Sequence, residues 1–307
     1  MTYEVASAAE FDSWVHGLHA ERVHGPGDQL GSLNHLDDAA RARGRDCLRT
    51  GVAISLAMPL RPGPTLRRSG ESAFALTTYA IATTAAGDPM PDGFAMFADR
   101  VELDCHGGSN THVDALNHVA FHGAWYDGSP VGEPPVSGSV LPLAEFGIFT
   151  RAVHADICAV RGTSYVELGR PVTGDEIDKA VAAAGLEFRP GDALLLDCGR
   201  DRYESEVGSW DGSRPRPGVG PEAARWMHEH RPGLVCWDML DGQNPQNIVG
   251  PVHQLSWATG LVLVDNCTFA AARSSLQRPG HGAAALVVAP LPIEGATGSN
   301  VNPLLLL

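Results

Sequence analysis

The sequence predicts a single α/β domain with a mixed central sheet. The chain has 307 residues with 44% apolar content, which is enough to bury one substantial core. Short amphipathic helices alternate with short apolar strands along its second half, as in α/β domains. The glycine- and proline-rich joints between these elements have four to eight residues, which suits loops better than linkers between domains. We therefore expect residues 1–307 to form one domain.

The clearest predicted helix and strand lie at residues 173–198. Thr173 and Glu176 have the spacing of a capping box, apolar residues recur on one face behind them, and Gly185 favours a helix end. The apolar run 193–198 then predicts a buried strand. Residues 1–50 are expected to form an N-terminal extension that packs on the core or on a neighbouring subunit. Similar patterns predict helices at 37–50 and 221–230 and strands at 77–85, 101–105, 234–237 and 261–264.

The acidic composition limits the classes of partner. With 22 basic and 36 acidic residues the formal net charge is −14, so no excess of lysine and arginine is available to neutralise phosphates. This argues against nucleic acid and anionic membranes as partners. No apolar run is long enough to span a bilayer, and the first residues lack the pattern of a signal peptide. The six cysteines lie 31 to 58 residues apart, which favours reduced thiols and a cytoplasmic location.

The stretch CHGGSNTHVDALNHVAFHG, which starts at Cys105, concentrates four histidines and one aspartate. If the chain is extended here, His112 and Asp114 point to the same face and can converge on one ion. A change from strand to helix after Asp114 is predicted to bring His118, four residues on, to the same point. Nitrogen and oxygen donors suit zinc, manganese or iron better than calcium. A single histidine is more often an ordinary polar residue, but three beside an acid indicate a metal site.

The segment THVDALNH resembles the HxGTHxDxPxH signature of the cyclase family, which includes bacterial kynurenine formamidases and manganese-dependent isatin hydrolases. The similarity extends to residues 25–36, 190–196 and 290–307, so it covers nearly the whole chain. The resemblance implies a fold of the swivelling β/β/α type and a homodimer or larger assembly. It also implies a small-molecule substrate and a divalent metal ion, Zn²⁺ or Mn²⁺, with one or two ions per subunit.

The resemblance also implies the site residues, position by position. The motif places His112 and Asp114 as metal ligands and His118 as the residue that transfers protons. His253 and Asp265 match a distant histidine and an acid that complete the metal site in members with two ions. The local sequence predicts that His253 lies in a loop and that Asp265 ends an apolar strand.

Four positions depart from the family pattern. Gly108 stands where the first motif histidine is expected, so His106 either substitutes for that ligand or only hydrogen-bonds a neighbour. Asn110 and Leu116 replace a glycine and a proline. Asp265 is one methylene shorter than the usual glutamate. These departures leave the choice between one and two ions open.

The leading hypothesis for function is a metal-dependent amidohydrolase that cleaves a non-peptide carbon–nitrogen bond in an aryl formamide, a cyclic amide or a lactam. A divalent ion would bring the pKa of bound water toward neutrality and polarise the carbonyl, and His118 would carry the proton to the leaving nitrogen. A cyclase, dehydratase or lyase of secondary metabolism could use the same metal and histidine. A third alternative is an inactive family member that binds a small molecule or a partner, which the departures at Gly108 and Asp265 motivate.

Two further residues are candidates for contact with the substrate. Arg200 follows a predicted strand and could hold a substrate carboxylate, although a solvated loop charge is the more common role. Trp237 ends another strand beside a polar stretch, where it either walls a pocket or belongs to the core. The glycine-rich turn 295–300 is interpreted as structural, because glycine and asparagine suit tight turns.

Overall fold

A mixed nine-stranded sheet runs through the centre of the chain in this computed structural model. The structure describes residues 3–61, 74–84, 87–108, 110–132, 137–210, 215–278 and 281–307. Within these ranges the strands are β1 Ala53–Ser55, β2 Phe74–Ala82, β3 Met96–Leu103, β4 His112–Asp114, β5 Ile148–Asp156, β6 Ala193–Asp197, β7 Leu234–Trp237, β8 Val262–Asp265, β9 Ala283–Val288, β10 Gly298–Asn300 and β11 Leu304–Leu306.

The strand order in the large sheet is β1-β11-β9-β5-β6-β7-β8-β4-β10. Its four central strands, β5 to β8, run parallel. The outer strands pair antiparallel on both sides of this centre. Strands β2 and β3 form a separate two-stranded antiparallel ribbon. The prediction of an α/β domain with a mixed sheet is confirmed.

The helices among the described residues cover the sheet. They are α1 Ala8–Glu21, α2 Asp38–Arg45, α3 Val140–Phe146, α4 Ile157–Arg161, α5 Gly174–Ala183, α6 Arg200–Glu206, α7 Pro221–His230, α8 Pro251–Thr259 and α9 Ala270–Leu276, with a 3-10 helix at Gly31–His35. None of them is long and apolar enough to cross a membrane. The capping box at Thr173 begins α5 as predicted, and Gly185 takes a positive φ just after that helix.

Several predicted elements differ in their bounds from the observed ones. The strand predicted at 101–105 is β3 Met96–Leu103, and the strands predicted at 193–198 and 261–264 are β6 Ala193–Asp197 and β8 Val262–Asp265. The helix predicted at 37–50 ends at Arg45, because the N–H groups of Cys47 and Leu48 bond carbonyls three residues back rather than four. The strand predicted at 77–85 is β2, which begins three residues earlier and ends at Ala82; residue 85 lies outside the described residues.

The carboxyl ends of the parallel strands lie along one edge of the sheet. Strand β6 is buried along its whole length, as expected for a strand covered on both faces. Asp197 ends β6, Asp238 follows β7, and Asp265 ends β8. In parallel α/β sheets this edge is the usual place for ligands, and it is where β4, the strand of His112 and Asp114, joins the sheet beside β8.

The N-terminal segment packs on the rest of the chain. Phe11 and Val15 of α1 are fully buried, and the ring of His19 stacks on Trp257 of α8 with 4.0 Å between ring centroids. The Tyr3 hydroxyl donates to a carboxylate of α5 over 2.9 Å. These contacts place Tyr3 and helix α1 against the rest of the same chain. An additional contact with a neighbouring subunit stays a prediction.

We expect Arg273→Ala to lower the free energy of unfolding by about 3–5 kcal/mol at pH 7, because it removes the guanidinium that pairs with the buried carboxylate of Asp197. Arg273 donates two parallel hydrogen bonds to Asp197, of 2.8 and 2.9 Å, and the Asp197 side chain is fully buried. Urea denaturation measures the loss. Arg189→Ala is the control, since its ion pair with Glu187 is exposed and contributes about 0–1 kcal/mol.

The same pair predicts a pH dependence. Burial alone would raise the pKa of Asp197, but His154 and Arg273 together hold it well below its usual range. The pair therefore makes its full contribution to the free energy of unfolding above the pKa of aspartate in the unfolded chain, about 3.9. This contribution is lost as the pH falls toward the pKa of Asp197 in the folded protein. The difference between wild type and Arg273→Ala should shrink in acid. A difference that stays constant from pH 7 to pH 3 would contradict this explanation.

Candidate metal centre

Strand β4 carries two of the predicted ligands and lies between two antiparallel neighbours. His112 is directly opposite Asp265 of β8 on one side and Asn300 of β10 on the other. Asp114 is two residues further along β4, opposite Gly298. Residues two apart in a strand, and residues directly opposite across a pair, share a face. The predicted convergence of His112, Asp114 and Asp265 therefore follows from the register of these three strands.

His118 reaches the same place by a turn rather than by a helix. Its backbone N–H donates to the carbonyl of Ala115 over 3.0 Å, which closes a turn directly after β4. The helix predicted at this point is absent, because the N–H of Asn117 donates to the carbonyl of Gly138 over 3.1 Å instead of to a carbonyl four residues back. The turn still places His118 Nε2 3.8 Å from Asp114 Oδ2. The predicted proximity of His118 to Asp114 is correct, and the predicted local structure is wrong.

His253 approaches from helix α8, so the prediction that it lies in a loop is wrong. Pro251 occupies the first turn of this helix, where its missing N–H costs nothing. Asp241 accepts the N–H of Val252 over 2.8 Å at the helix start and lies 2.5 Å from His253 Nδ1. The other ring nitrogen, Nε2, faces Asp114 and Asp265. Burial alone would lower the pKa of His253, but Asp241 and Asp265 raise it overall.

The structure thus brings all five predicted metal ligands together. Their donor atoms form two sets in which all members lie within 4.8 Å of one another: His106, His112 and Asp114, and Asp114, His253 and Asp265. Asp114 belongs to both sets, and His118 belongs to neither. Within the first set, Asp114 Oδ1 is 3.1 Å from His106 Nδ1 and 3.5 Å from His112 Nε2. Within the second set, His253 Nε2 is 3.8 Å from Asp114 Oδ2 and 3.7 Å from Asp265 Oδ2.

Asp114 shows that these residues fit a metal ion. Both of its carboxylate oxygens are buried and have no hydrogen-bond partner, and only 3% of the side chain is exposed. Burial alone would raise its pKa, but the imidazoles of His118, His106 and His112 lower it overall, so the group is ionised. A buried carboxylate whose oxygens accept no hydrogen bond is costly. Two donors that bind one ion at about 2.1 Å each lie about 3.0 to 3.5 Å apart, and the two distances in the first set are of this size.

Neighbouring groups fix the orientation of the other donors. The Nδ1 atom of His112 lies 2.8 Å from the carbonyl oxygen of Asn110, which leaves Nε2 directed at Asp114. The indole N–H of Trp237 donates to Asp265 Oδ1 over 2.5 Å and leaves Oδ2 facing the histidines. Partners of this kind orient metal ligands and select the histidine tautomer. Trp237 is fully buried, so the structure favours a supporting role for it, and its contact with a substrate stays a prediction.

Arg200 is buried beneath the loop that carries His106. Its guanidinium donates to Asn266 Oδ1 over 2.6 Å, to Glu204 over 2.8 Å and to the carbonyl of Gly108. Asn266 in turn donates from Nδ2 to the carbonyl of Gly107 over 2.7 Å. These bonds hold the loop in place. They favour a structural role for Arg200 over the predicted binding of a substrate carboxylate, which stays a prediction.

The sequence reasoning missed several residues of the site. Asp241 and Asn266 orient donors or hold the loop, and Thr297 lies 2.9 Å from His106 Nε2. Asn117 lies between Asp114 and His118 in the chain, and both of its amide atoms are buried without a partner. The turn 295–300 was interpreted as structural only. Of these residues, only Asn266 has a signal in the sequence, because it is a polar residue close behind an apolar strand.

The fold and the donor set define a mixed α/β protein with a histidine–aspartate metal-site candidate at the edge of its sheet. The chain belongs to the cyclase family: the family model described as "Putative cyclase" matches residues 54–242. No curated protein matches the chain.

Several solved structures are similar to this chain. One described as a novel cyclase has a TM-score of 0.79 and 21% identity, over 93% of this chain and 98% of the other. Isatin hydrolase A from Ralstonia solanacearum has a TM-score of 0.58 and 20% identity, over 87% and 94%. A predicted metal-dependent hydrolase from Bacillus stearothermophilus has a TM-score of 0.50 and 17% identity, over 83% and 97%. At these identities the likeness shows the fold alone.

Proposed function

We propose that this chain is a metal-dependent hydrolase that cleaves a carbon–nitrogen bond other than a peptide bond, in an aryl formamide, a cyclic amide or a lactam. The observation that carries the proposal is Asp114, a buried, ionised carboxylate without a hydrogen-bond partner that belongs to two sets of metal-type donors. The names of two similar structures, an isatin hydrolase and a predicted metal-dependent hydrolase, support the reaction class.

The ion in this proposal is Zn²⁺ or Mn²⁺, which suits imidazole nitrogens mixed with carboxylate oxygens. His106, His112 and Asp114 would hold one position, and Asp114, His253 and Asp265 an adjacent one. His106 would supply the ligand that the family motif has at Gly108. A bound divalent ion lowers the pKa of water and polarises a carbonyl oxygen. Because Asp114 belongs to both donor sets, we propose two ions. The number of metal ions bound per chain decides between one and two.

His118 is the proposed proton carrier. It lies beside both donor sets without belonging to either, and about a quarter of its side chain is exposed. Its ring stacks on that of His106 with 3.7 Å between centroids, which fixes its orientation. In the proposed reaction, His118 Nε2 accepts the proton of the attacking water. It returns that proton to the nitrogen as the carbon–nitrogen bond breaks.

Metal removal tests the proposal. Purified wild type should contain Zn²⁺ or Mn²⁺ by plasma mass spectrometry and should turn over at least one of N-formylkynurenine, isatin and small lactams. Dialysis against a chelator should remove both metal and turnover, and the ion that was lost should restore turnover. His112→Ala, treated in the same way, should regain neither. A folded wild type that takes up no Zn²⁺ or Mn²⁺ when both are supplied would overturn the proposal.

The assembly implied by the resemblance and the cytoplasmic location predicted from the cysteines stay predictions. The proposed function is compatible with a homodimer and with a cytoplasmic location. Size-exclusion chromatography with light scattering measures the oligomeric state directly.

A further inference from the structure

Strand β10 lies directly beside the imidazole of His106. Gly298 of this strand is opposite Asp114 in the sheet. A Cβ atom at position 298 would lie 2.7 Å from His106 Cε1 and 3.1 Å from its Nε2. The first distance is far below the carbon–carbon contact distance of about 3.5–4.0 Å. The His106 ring therefore occupies space that exists only because residue 298 has no side chain.

Thr297 holds the outer nitrogen of the same ring. Its hydroxyl oxygen is 2.9 Å from His106 Nε2. The position of Thr297 is itself fixed by β4, because its backbone carbonyl accepts the N–H of Ala115 over 3.0 Å. When Nε2–H donates to the Thr297 hydroxyl, Nδ1 carries the lone pair. Nδ1 is buried without a hydrogen-bond partner and faces Asp114 Oδ1.

The loop that carries His106 is anchored on its other side. Asn110 donates from Nδ2 to the carbonyl of Asp104 over 2.7 Å, and Asn266 and Arg200 hold the carbonyls of Gly107 and Gly108. These bonds fix the backbone of the loop. They leave the rotation of the His106 ring and its tautomer to the groups that touch the ring itself.

We propose that Thr297 and Gly298 are positioning residues that place His106 Nδ1 as a metal ligand. Gly298 provides the space for the ring, and the Thr297 hydroxyl holds Nε2 so that Nδ1 faces Asp114. The inference rests on the proposed metal site and deepens it, since it explains how a histidine two residues before Gly108 reaches the ligand position. Within the turn 295–300, Thr297 and Gly298 are then part of the metal centre rather than a connection only.

Thr297→Val tests this inference, because it removes the hydroxyl and keeps the shape and the backbone bond to Ala115. We expect the variant to bind Zn²⁺ or Mn²⁺ about 10–100-fold more weakly than wild type, the usual effect of losing an outer partner of a ligand histidine. Titration of metal-free protein against a chromophoric chelator measures the affinity without any substrate. Thr297→Ser, which restores the hydroxyl, should bind within about twofold of wild type.

Ser299→Ala is the matched control. Ser299 is the next hydroxyl residue in β10 and is buried, but its hydroxyl accepts the N–H of Leu291. It is opposite Val113, so it lies on the face of the sheet away from Asp114. The Ser299→Ala variant should keep wild-type metal affinity. Gly298→Ala is less informative, because its Cβ would also lie 2.6 Å from the carbonyl oxygen of Val113 and would disturb the strand.

A double-mutant cycle separates positioning from a general structural effect. If Thr297 acts through His106, Thr297→Val should change affinity by less than about twofold in a His106→Ala background. An equal loss in both backgrounds would overturn the inference, as would a Thr297→Val variant or a His106→Ala variant with wild-type affinity. In those cases wild type still binds metal and the proposed function stands. A wild type that binds neither ion overturns both.

Discussion

Asp114→Asn is expected to weaken Zn²⁺ or Mn²⁺ binding by more than about 100-fold, beyond the 10–100-fold loss typical of outer partners. Asp114 is the only residue common to both donor sets. Its carboxylate lies 3.1 to 3.8 Å from nitrogens of four histidines, so it supplies the negative charge that draws a cation into the cluster. Asparagine keeps the size of the side chain. It removes the charge and presents an N–H₂ group where one oxygen was.

The measurement is metal content after dialysis, together with affinity by competition against a chelator. Asp12→Asn is the matched control: Asp12 is exposed and lies 2.9 Å from the ring of His122, a histidine of the same stretch outside both donor sets. That variant should bind metal as wild type does. Urea unfolding of the metal-free proteins checks that both variants fold. Wild-type affinity in folded Asp114→Asn would contradict the metal site, whatever the turnover.

Local patterns in the sequence were sufficient for elements that are stabilised locally. The capping box at Thr173 and the apolar stripe behind it predicted α5, and the helix at Pro221–His230 and the strand at Leu234–Trp237 have the predicted bounds. The turn after β4 was predicted as a helix, because Asp114 and His118 happen to have helical spacing. In the structure the contact between them comes from the turn itself, so the spacing carried no information about the backbone.

The candidate ligands could be predicted because they belong to a motif or match one in a family. The residues that orient them could not, because they come from separate loops and have no shared spacing. Asp241 precedes α8, Asn266 follows β8, and Thr297 precedes β10. Asn266 and Thr297 are near the site because β8, β4 and β10 pair in this register, and Asp241 is near it because its carboxylate bonds the start of α8. Pairing of strands so distant in sequence leaves no periodic signal in any one of them, and the role of Gly298 was invisible for the same reason.

Replacing His118 by glutamine is expected to lower turnover by about 10²–10⁴-fold while the metal stays bound, the usual contribution of a positioned acid and base. Glutamine keeps polar atoms at the end of the side chain but cannot take up and return a proton near pH 7. His118 is in neither donor set, so its loss leaves His106, His112, Asp114, His253 and Asp265 in place. Turnover is measured on the substrate that wild type hydrolyses, and metal content on the same preparation.

His122→Gln is the control for this prediction, because His122 is the next histidine along the chain and pairs with Asp12 outside the cluster. It should keep both metal and turnover. If His118→Gln loses its metal together with turnover, His118 is a ligand and the proton must be carried by another group. If it keeps both, the reaction does not use this imidazole. Only a loss of turnover with full metal content shows that His118 transfers protons and does not bind the metal. The two roles must be separated because the ring of His118 stacks on that of His106, a proposed ligand.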